Sequence, residues 1–377
     1  MFDRLTERLA PVPPKRTVTL SASVTGNSAT VQLGDRSFDL SSDFRGELSH
    51  NHFDFALFGA AAIALRNNWN IQTDLPITAK AAQAVNSAVD LLDMWRVRRC
   101  YQVRFDCTNI VGDKASLPDQ GLICLSGGVD STFAAMKKAR SGEISHGVLL
   151  AGADYPSGNH PGFVELLARV RGISSRIGIE TICAETTIRK FKLYWPISHV
   201  FVLAMVLAFH ASRFGKGYIA ADFTAAQEYA YHPWGNCGPL VAALGGTGFP
   251  IQQAGQSLGR TAKLAFIAGE DPQLMNEISV CYSAKDSGGN CGICEKCVRT
   301  KLNLVASGIS YQQFFSANPE LANHLRRLSL PKTQAGLRRH MVFLKDIQTT
   351  MHDATLGAVL ESRLEKLRNR ITPLGKI

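Results

Sequence analysis

The 377-residue chain predicts an α/β protein built on a doubly wound parallel sheet, preceded by an α+β unit and followed by a helical tail. Three observations carry that prediction. From about residue 120 onward, compact apolar runs of strand length alternate with helix-period stretches. Before residue 115 the runs are short, alternate apolar with polar, and are separated by turn dipeptides. After residue 305 the pattern is helical and rich in Arg and Lys.

In the N-terminal unit, 1–115, the runs TVTLSASV, ATVQL and RSFDL are split by Gly26-Asn27 and Gly34-Asp35, which predicts a small antiparallel meander. Asp54 to Arg66 repeats with a helical period, and a short strand follows around Asn70–Thr73. Thr78 to Trp95 reads as an amphipathic helix capped by the Thr78 hydroxyl. Residues 101–107 read as a strand, and the polar stretch VGDKASLPDQ leads into the next unit, 116–305. There GLICLS is a buried strand, and SGGVDSTFAAMKKAR turns through glycines into a helix. HGVLLAG, ETICAET and GYIAADF are further strands, with HPGFVELLARVRGISSRIG and SHVFVLAMVLAFHASRFG as the helices between them. Such alternation predicts parallel strands covered on both faces. The last region, 306–377, reads as basic helices with a cap at SGIS and a break at Pro331.

No run approaches the roughly 20 apolar residues of a membrane span. The longest, Val200 to Phe209, stops at His210 and reads as a buried helix. The opening MFDRLTERLAPVPPKR lacks the apolar centre of a secretory leader, so a cytoplasmic protein without a membrane partner is expected. The formal net charge is +10, and from Leu321 to Ile377 there are 11 Lys and Arg against 4 Asp and Glu. No aromatic-interleaved platform accompanies that charge, so a protein partner or a solvated helix face fits it better than nucleic acid.

Ser126-Gly127-Gly128-Val129-Asp130-Ser131 lies between a buried strand and an amphipathic helix. A helix N-terminus offers unpaired N–H donors and the positive end of a dipole, which suits pyrophosphate. Two adjacent glycines let the backbone curl around such an anion. Ser126 and Ser131 add hydroxyls, and Asp130 is expected to hold Mg2+ against the phosphates. The stretch is neither G-x-x-x-x-G-K-[ST] nor G-x-G-x-x-G. Ligands of such sheets sit outside the strand carboxyl ends, so Leu150, Ala151 and Gly152 are expected to wall the ATP adenine or ribose, with Asp154 and Tyr155 just beyond.

Nine cysteines are too few for a disulfide framework in a chain of this length. Four of them, Cys281, Cys291, Cys294 and Cys297, fall within 17 positions. Spacing of C-x2-C places thiolates about one turn apart, where four complete a closed tetrahedral Zn2+ site with metal–sulfur distances of roughly 2.3 Å. An iron–sulfur cluster is the competing occupant. Lys285, Lys296 and Arg299 would temper the charge of a zinc tetrathiolate. The scattered Cys100, Cys107, Cys124, Cys183 and Cys237 read as small core residues.

The S-G-G-x-D-S stretch resembles the PP-loop of the ATP pyrophosphatases, a HUP-like fold whose members cleave ATP to AMP and pyrophosphate. With Cys281-Tyr282 and Cys291-Gly292-Ile293-Cys294-Glu295-Lys296-Cys297-Val298-Arg299 some 150 residues later, 120–305 is similar to the 7-cyano-7-deazaguanine synthase (QueC-like) family. The resemblance implies adenylation of 7-carboxy-7-deazaguanine and its conversion with ammonia to amide and nitrile. Pro196 to Phe209 matches the family's Pro-x-x-Asn/His helix, and residues 217–220 its substrate strand. It places the family lysine on Lys263, which would neutralise charge on the leaving pyrophosphate.

The family's Asp-x-Ser-Gly-Tyr-Pro-Asp-Cys run is absent, and Asp222-Phe223 and residues 228–237 stand in its place. Asp222 or Glu228 would accept a guanine-like N–H edge, Trp234 or Tyr231 would stack on the ring, and His232 would act as a base if it were not structural. The attacking nitrogen is then ammonia or an amine of a partner protein, docked by 1–115 or the basic tail. A homodimer is also compatible. Two competing readings remain. One is a PP-loop tRNA-modifying enzyme carrying sulfur on Cys124 or Cys237, and the other is an inactive nucleotide-binding scaffold.

Overall fold

The computed structural model describes residues 14–95, 102–112, 118–231, 234–245, 249–281, 289–315 and 321–371, without the Tyr231 side chain. The chain opens with strands β1 (Arg16–Thr25), β2 (Ser28–Leu33) and β3 (Arg36–Ser42), joined by turns at Gly26 and Gly34. Both glycines have positive φ, +55° and +60°, which a two-residue hairpin turn demands. Alternation puts Ala29, Val31 and Leu33 of β2 inward. Next come α1 (Asp54–Asn67), β4 (Trp69–Thr73), β5 (Ile77–Thr78), α2 (Ala79–Met94), β6 (Phe105–Cys107) and β7 (Ile110–Val111). Thr78 caps α2 as expected, its hydroxyl accepting the Ala81 N–H at 3.2 Å.

The alternating unit follows as β8 (Gly121–Cys124), α3 (Val129–Arg140), β9 (Ile144–Ala151), α4 (Pro161–Ile177) and β10 (Glu180–Thr186). A 3-10 turn (Ile188–Phe191) leads to α5 (Trp195–Phe209), β11 (Lys216–Ala220), α6 (Ala225–Tyr231), α7 (Gly238–Leu244), β12 (Ile251–Ala254) and α8 (Arg260–Glu270). The chain ends with α9 (Glu295–Ala306), α10 (Leu321–Arg327), α11 (Gln334–Gln348) and α12 (Ala354–Arg368). Pro331 falls between α10 and α11, where the break was expected.

One mostly parallel sheet runs β12-β11-β8-β9-β10-β3-β2-β1-β4-β6. From β12 to β10 all neighbours are parallel. The chain leaves β8 toward β9 and β10 on one side, then crosses to β11 and β12 on the other. That reversal makes a crevice at the adjoining carboxyl ends of β8 and β11. The N-terminal strands extend the same sheet, with Leu40 of β3 pairing antiparallel to Thr186 of β10.

The N-terminal helix α1 and the apolar α5 pack directly on each other in one shared core that reaches from Val18 to Ile251. Residues 54–65 of α1 are all buried, as are Val200, Phe201 and Met205 of α5. Each such apolar side chain contributes roughly 1.5–3 kcal/mol by leaving water. Gly59 permits the approach, since a Cβ there would lie 2.5 Å from Phe38 Cζ and 2.8 Å from Met205 Sδ. The C-terminal helices bury Val298, Leu302, Leu325, Leu344 and Leu360 among themselves, and α11 also packs on α6 and α8. Among the described residues no helix is long and apolar enough to cross a membrane.

Candidate functional site

The loop after β8 turns through Gly127 and Gly128 directly into α3. Gly127 has φ +72°, and a Cβ there would sit 3.0 Å from Val170 Cγ2, so both conformation and space call for glycine. Gly128 is the N-cap of α3 and supplies no side-chain cap. Among the described residues no side chain caps the first-turn N–H groups of α3. Ser131 Oγ accepts the Ser126 N–H at 3.3 Å, lies 3.1 Å from Ser126 Oγ and donates to Gly128 O at 3.2 Å. Val129 is buried beneath the loop.

Asp130 is buried and bound to two cations of α8. Lys263 Nζ donates to Asp130 Oδ1 at 3.1 Å, and the Arg260 guanidinium holds Oδ2. Burial works against the charged form of Asp130, but Arg260 and Lys263 outweigh it and hold the carboxyl below its usual range. Lys263 is fully buried, and its ammonium also donates to Ala221 O at 2.7 Å, at the end of β11. It is thus a fixed charge between two strand ends and not a solvated helix lysine. Each oxygen of Asp130 thus bonds to one side-chain cation, a pairing the sequence reading did not anticipate. The reason is tertiary: α8 packs against α3 and brings Arg260 along.

Arg260 precedes Lys263 by three positions, so helical spacing alone puts both on one face, a signal the sequence reading passed over. The C-terminal α11 supplies what no local pattern announces. Its Asp346 caps α8 from outside, accepting Thr261 N–H at 3.0 Å and Thr261 Oγ1 at 2.9 Å. Gln227 Nε2 of α6 reaches the other oxygen of Asp346 at 3.2 Å. Phe343 stacks on Phe223 with centroids 5.1 Å apart, and the Arg299 guanidinium lies 3.7 Å above its ring.

Across the crevice, the residues after β11 gather as a second group. Trp234 Nε1 donates to Asp222 Oδ2 at 2.7 Å, and the Trp234 ring lies 5.0 Å from His199 of α5. His199 is bonded through Nδ1 to Trp195 O at 2.8 Å, and burial lowers its pKa against the pull of Asp222 and Asp154. Glu228 is differently employed. Its oxygens accept Gly238 N–H at 2.8 Å and Gln253 Nε2 at 3.2 Å, pinning α7 to β12. Burial raises its pKa. Asn236 Nδ2 holds Ala220 O at 2.6 Å. Leu150 and Ala151 end β9, with Ala151 buried and Leu150 partly so. Asp154 and Asp222 both lie within electrostatic reach of Lys296. His232 lies outside the described residues.

The cysteines do converge. All four Sγ atoms lie within 4.8 Å of one another, with Cys281–Cys294 at 3.8 Å and Cys291–Cys297 at 4.0 Å. A tetrahedron with zinc–sulfur bonds of roughly 2.3 Å has edges of about 3.8 Å, so the group could hold a metal ion such as zinc. Asn290 ties its two arms, donating to Ile278 O at 2.8 Å and accepting Val280 N–H at 2.9 Å. The cation closest in effect is Lys301, which the sequence reading did not single out. It is fully buried, and Cys297 and Cys291 act on it electrostatically. Arg299 instead faces Glu295 and Phe343. The arm carrying Cys281 joins the phosphate loop itself, because Ser279 N–H donates to Gly127 O at 2.9 Å. Compared with known proteins, the chain matches no family model and no curated protein.

Proposed function

We propose that this chain is an ATP-dependent, AMP-forming ligase that adenylates a heterocyclic carboxylate and passes the acyl group to a nitrogen nucleophile. A 7-deazaguanine-type acid is the substrate class its QueC-like motifs favour. The observation that carries this reading is the loop Ser126–Ser131 at the switch-point crevice, backed by the Asp130–Arg260–Lys263 cluster and bonded to the cysteine arm through Ser279.

In the first step a substrate carboxylate oxygen bonds to the α-phosphorus of ATP, and the bond to the bridging oxygen breaks, releasing pyrophosphate. The α3 N-terminus with Ser126 and Ser131 receives that anion, while Arg260 and Lys263 supply positive charge behind it. Asp130 orients those two cations, so it acts as a positioning residue, and Mg2+ arrives on the nucleotide as part of the substrate. In the second step the nitrogen bonds to the acyl carbon, and AMP leaves with the electrons of the carbon–oxygen bond. Asp222 takes an N–H edge of the heterocycle and Trp234 its face. Bound zinc supplies structure, holding the Cys281 arm against Gly127. The nitrogen comes from ammonia or from an amine of a partner protein.

The sulfur-transfer reading needs a thiolate outside the cysteine cluster. Burial pushes the thiols of Cys124 and Cys237 up to about 12, and those of Cys107 and Cys183 to about 11. These four work against that reading. Mass spectrometry of reactions with ATP, magnesium, 7-carboxy-7-deazaguanine and ammonium tests the proposal. AMP formation that requires the acid and disappears in Asp130→Ala is the expected result, and the product mass separates amide from nitrile. Folded, zinc-loaded protein that yields no AMP with this acid or related carboxylates, with or without added amine, would overturn it.

A further inference from the structure

We propose that a second, separate anion site exists in the cleft between the start of β3, the end of α1 and the 3-10 turn after β10, and that it takes a small oligophosphate of two or three phosphates. The cleft has a volume of about 400 Å³, within the roughly 300–1,000 Å³ of small-ligand pockets. Lys15, Arg36, Arg66, Lys190 and Lys192 line it beside Phe191, and among the described residues no carboxylate does. None of these five cations pairs with an Asp or Glu among the described residues.

The two guanidinium groups are held by contacts that are not ionic. The Arg36 guanidinium lies over the Phe191 ring, 4.1 Å from its centroid. Arg66 Nε donates to Lys192 O at 3.2 Å, leaving the rest of its fork to the cleft. Lys192 adopts a left-handed conformation, φ 53°, uncommon outside glycine, with its N–H on Arg189 O at 3.0 Å. The backbone of Lys15 is fixed by its N–H on Asn68 O at 2.8 Å.

Five like charges around one cleft repel each other, and among the described residues no acid relieves them. A carboxylate would balance one of them, whereas an oligophosphate brings several charges and oxygens that match the two guanidinium forks. The strands β9 and β10 separate this cleft from the loop after β8, so it is not an extension of the nucleotide site.

The test is calorimetric titration of the full chain with sodium tripolyphosphate at about 0.15 M salt, where diffuse attraction between exposed charges is largely screened. Arg66→Glu combined with Lys190→Glu changes only exposed side chains, and an unchanged thermal melt without ligand verifies folding. The expected result is one stoichiometric site that weakens at least about tenfold in the double variant, while any site at the phosphate loop persists. An isotherm identical in both proteins would overturn the proposal. So would binding that has no defined stoichiometry at this salt. A short single-stranded oligonucleotide that occupies the cleft and resists displacement by tripolyphosphate would assign it to nucleic acid instead and overturn it equally.

Discussion

The cysteine cluster and the Asp130 cluster both take charge out of water, by opposite routes. The cysteines come from one short stretch, 281–297, and their sulfur atoms stand within 4.8 Å of one another, close enough to share one metal ion. Asp130 is balanced from within, by Arg260 and Lys263 brought across from α8. One site could take its counter-charge from a metal ion, and the other carries its counter-charges on side chains. The difference lies in distance along the chain: thiolate spacing is local chemistry, whereas the pairing of residue 130 with 260 and 263 exists only after the sheet has been wound.

Breaking each site separates the two. Cys294→Ser removes one thiolate from the cluster, and loss of a structural metal is among the few single changes that cost about 4 kcal/mol or more. Stoichiometric zinc measured on the purified protein is expected to vanish, with a large fall in thermal stability. Retention of one tightly bound zinc per chain would show that the remaining three sulfurs suffice. Lys263→Met instead leaves buried Asp130 with Arg260 alone. Removing one partner of a buried ionic group costs roughly 3–5 kcal/mol, and loss of a preorganised charge at the reacting phosphates costs on the order of 100-fold in turnover. Denaturant unfolding and AMP formation read the two effects independently. An unchanged unfolding midpoint would mean that Arg260 balances Asp130 without help.

The same contrast explains what the sequence made legible. The meander at β1–β3, the Thr78 cap, the alternation from β8 to β11 and the glycine loop all rest on neighbours within a few residues, and the fold reproduces them. Asp222 and Trp234 were each singled out among the candidate substrate groups, and they meet at 2.7 Å across the short helix α6. Glu228 carries the same residue chemistry as Asp222. Its two oxygens nevertheless go to Gly238 and Gln253, partners that only the docking of α7 on β12 provides. The N-terminal unit was read as separate because its turn-rich pattern changes after residue 115. Edge pairing of β3 with β10 is a backbone event with no side-chain signature. Lys301 looked like any helix lysine until burial placed it under the cysteines.

The smallest effect tests whether the basic C-terminal helices belong to the site. Asp346 stands 85 residues from Thr261 and caps α8 in place of a local residue, since the N-cap Gly259 has no side chain to offer. A Cβ at Gly259 would collide with Asp346, so the approach is close. Asp346→Ala strips the acceptor from Thr261 N–H and Thr261 Oγ1 and from Gln227, a loss of about 1 kcal/mol on the scale of N-cap removals. Asp346→Asn keeps one carbonyl acceptor and loses the charge facing the helix dipole, so it is expected to fall between wild type and Asp346→Ala. Because Arg260 and Lys263 ride on the first turns of α8, both variants are also expected to weaken nucleotide binding, in the same order. Titration of ATP alongside thermal melts measures both orders together. Reduced stability with ATP binding untouched would make α11 a packing element only, whereas matching orders would show that the C-terminal helices hold the cations of the proposed phosphate site in register.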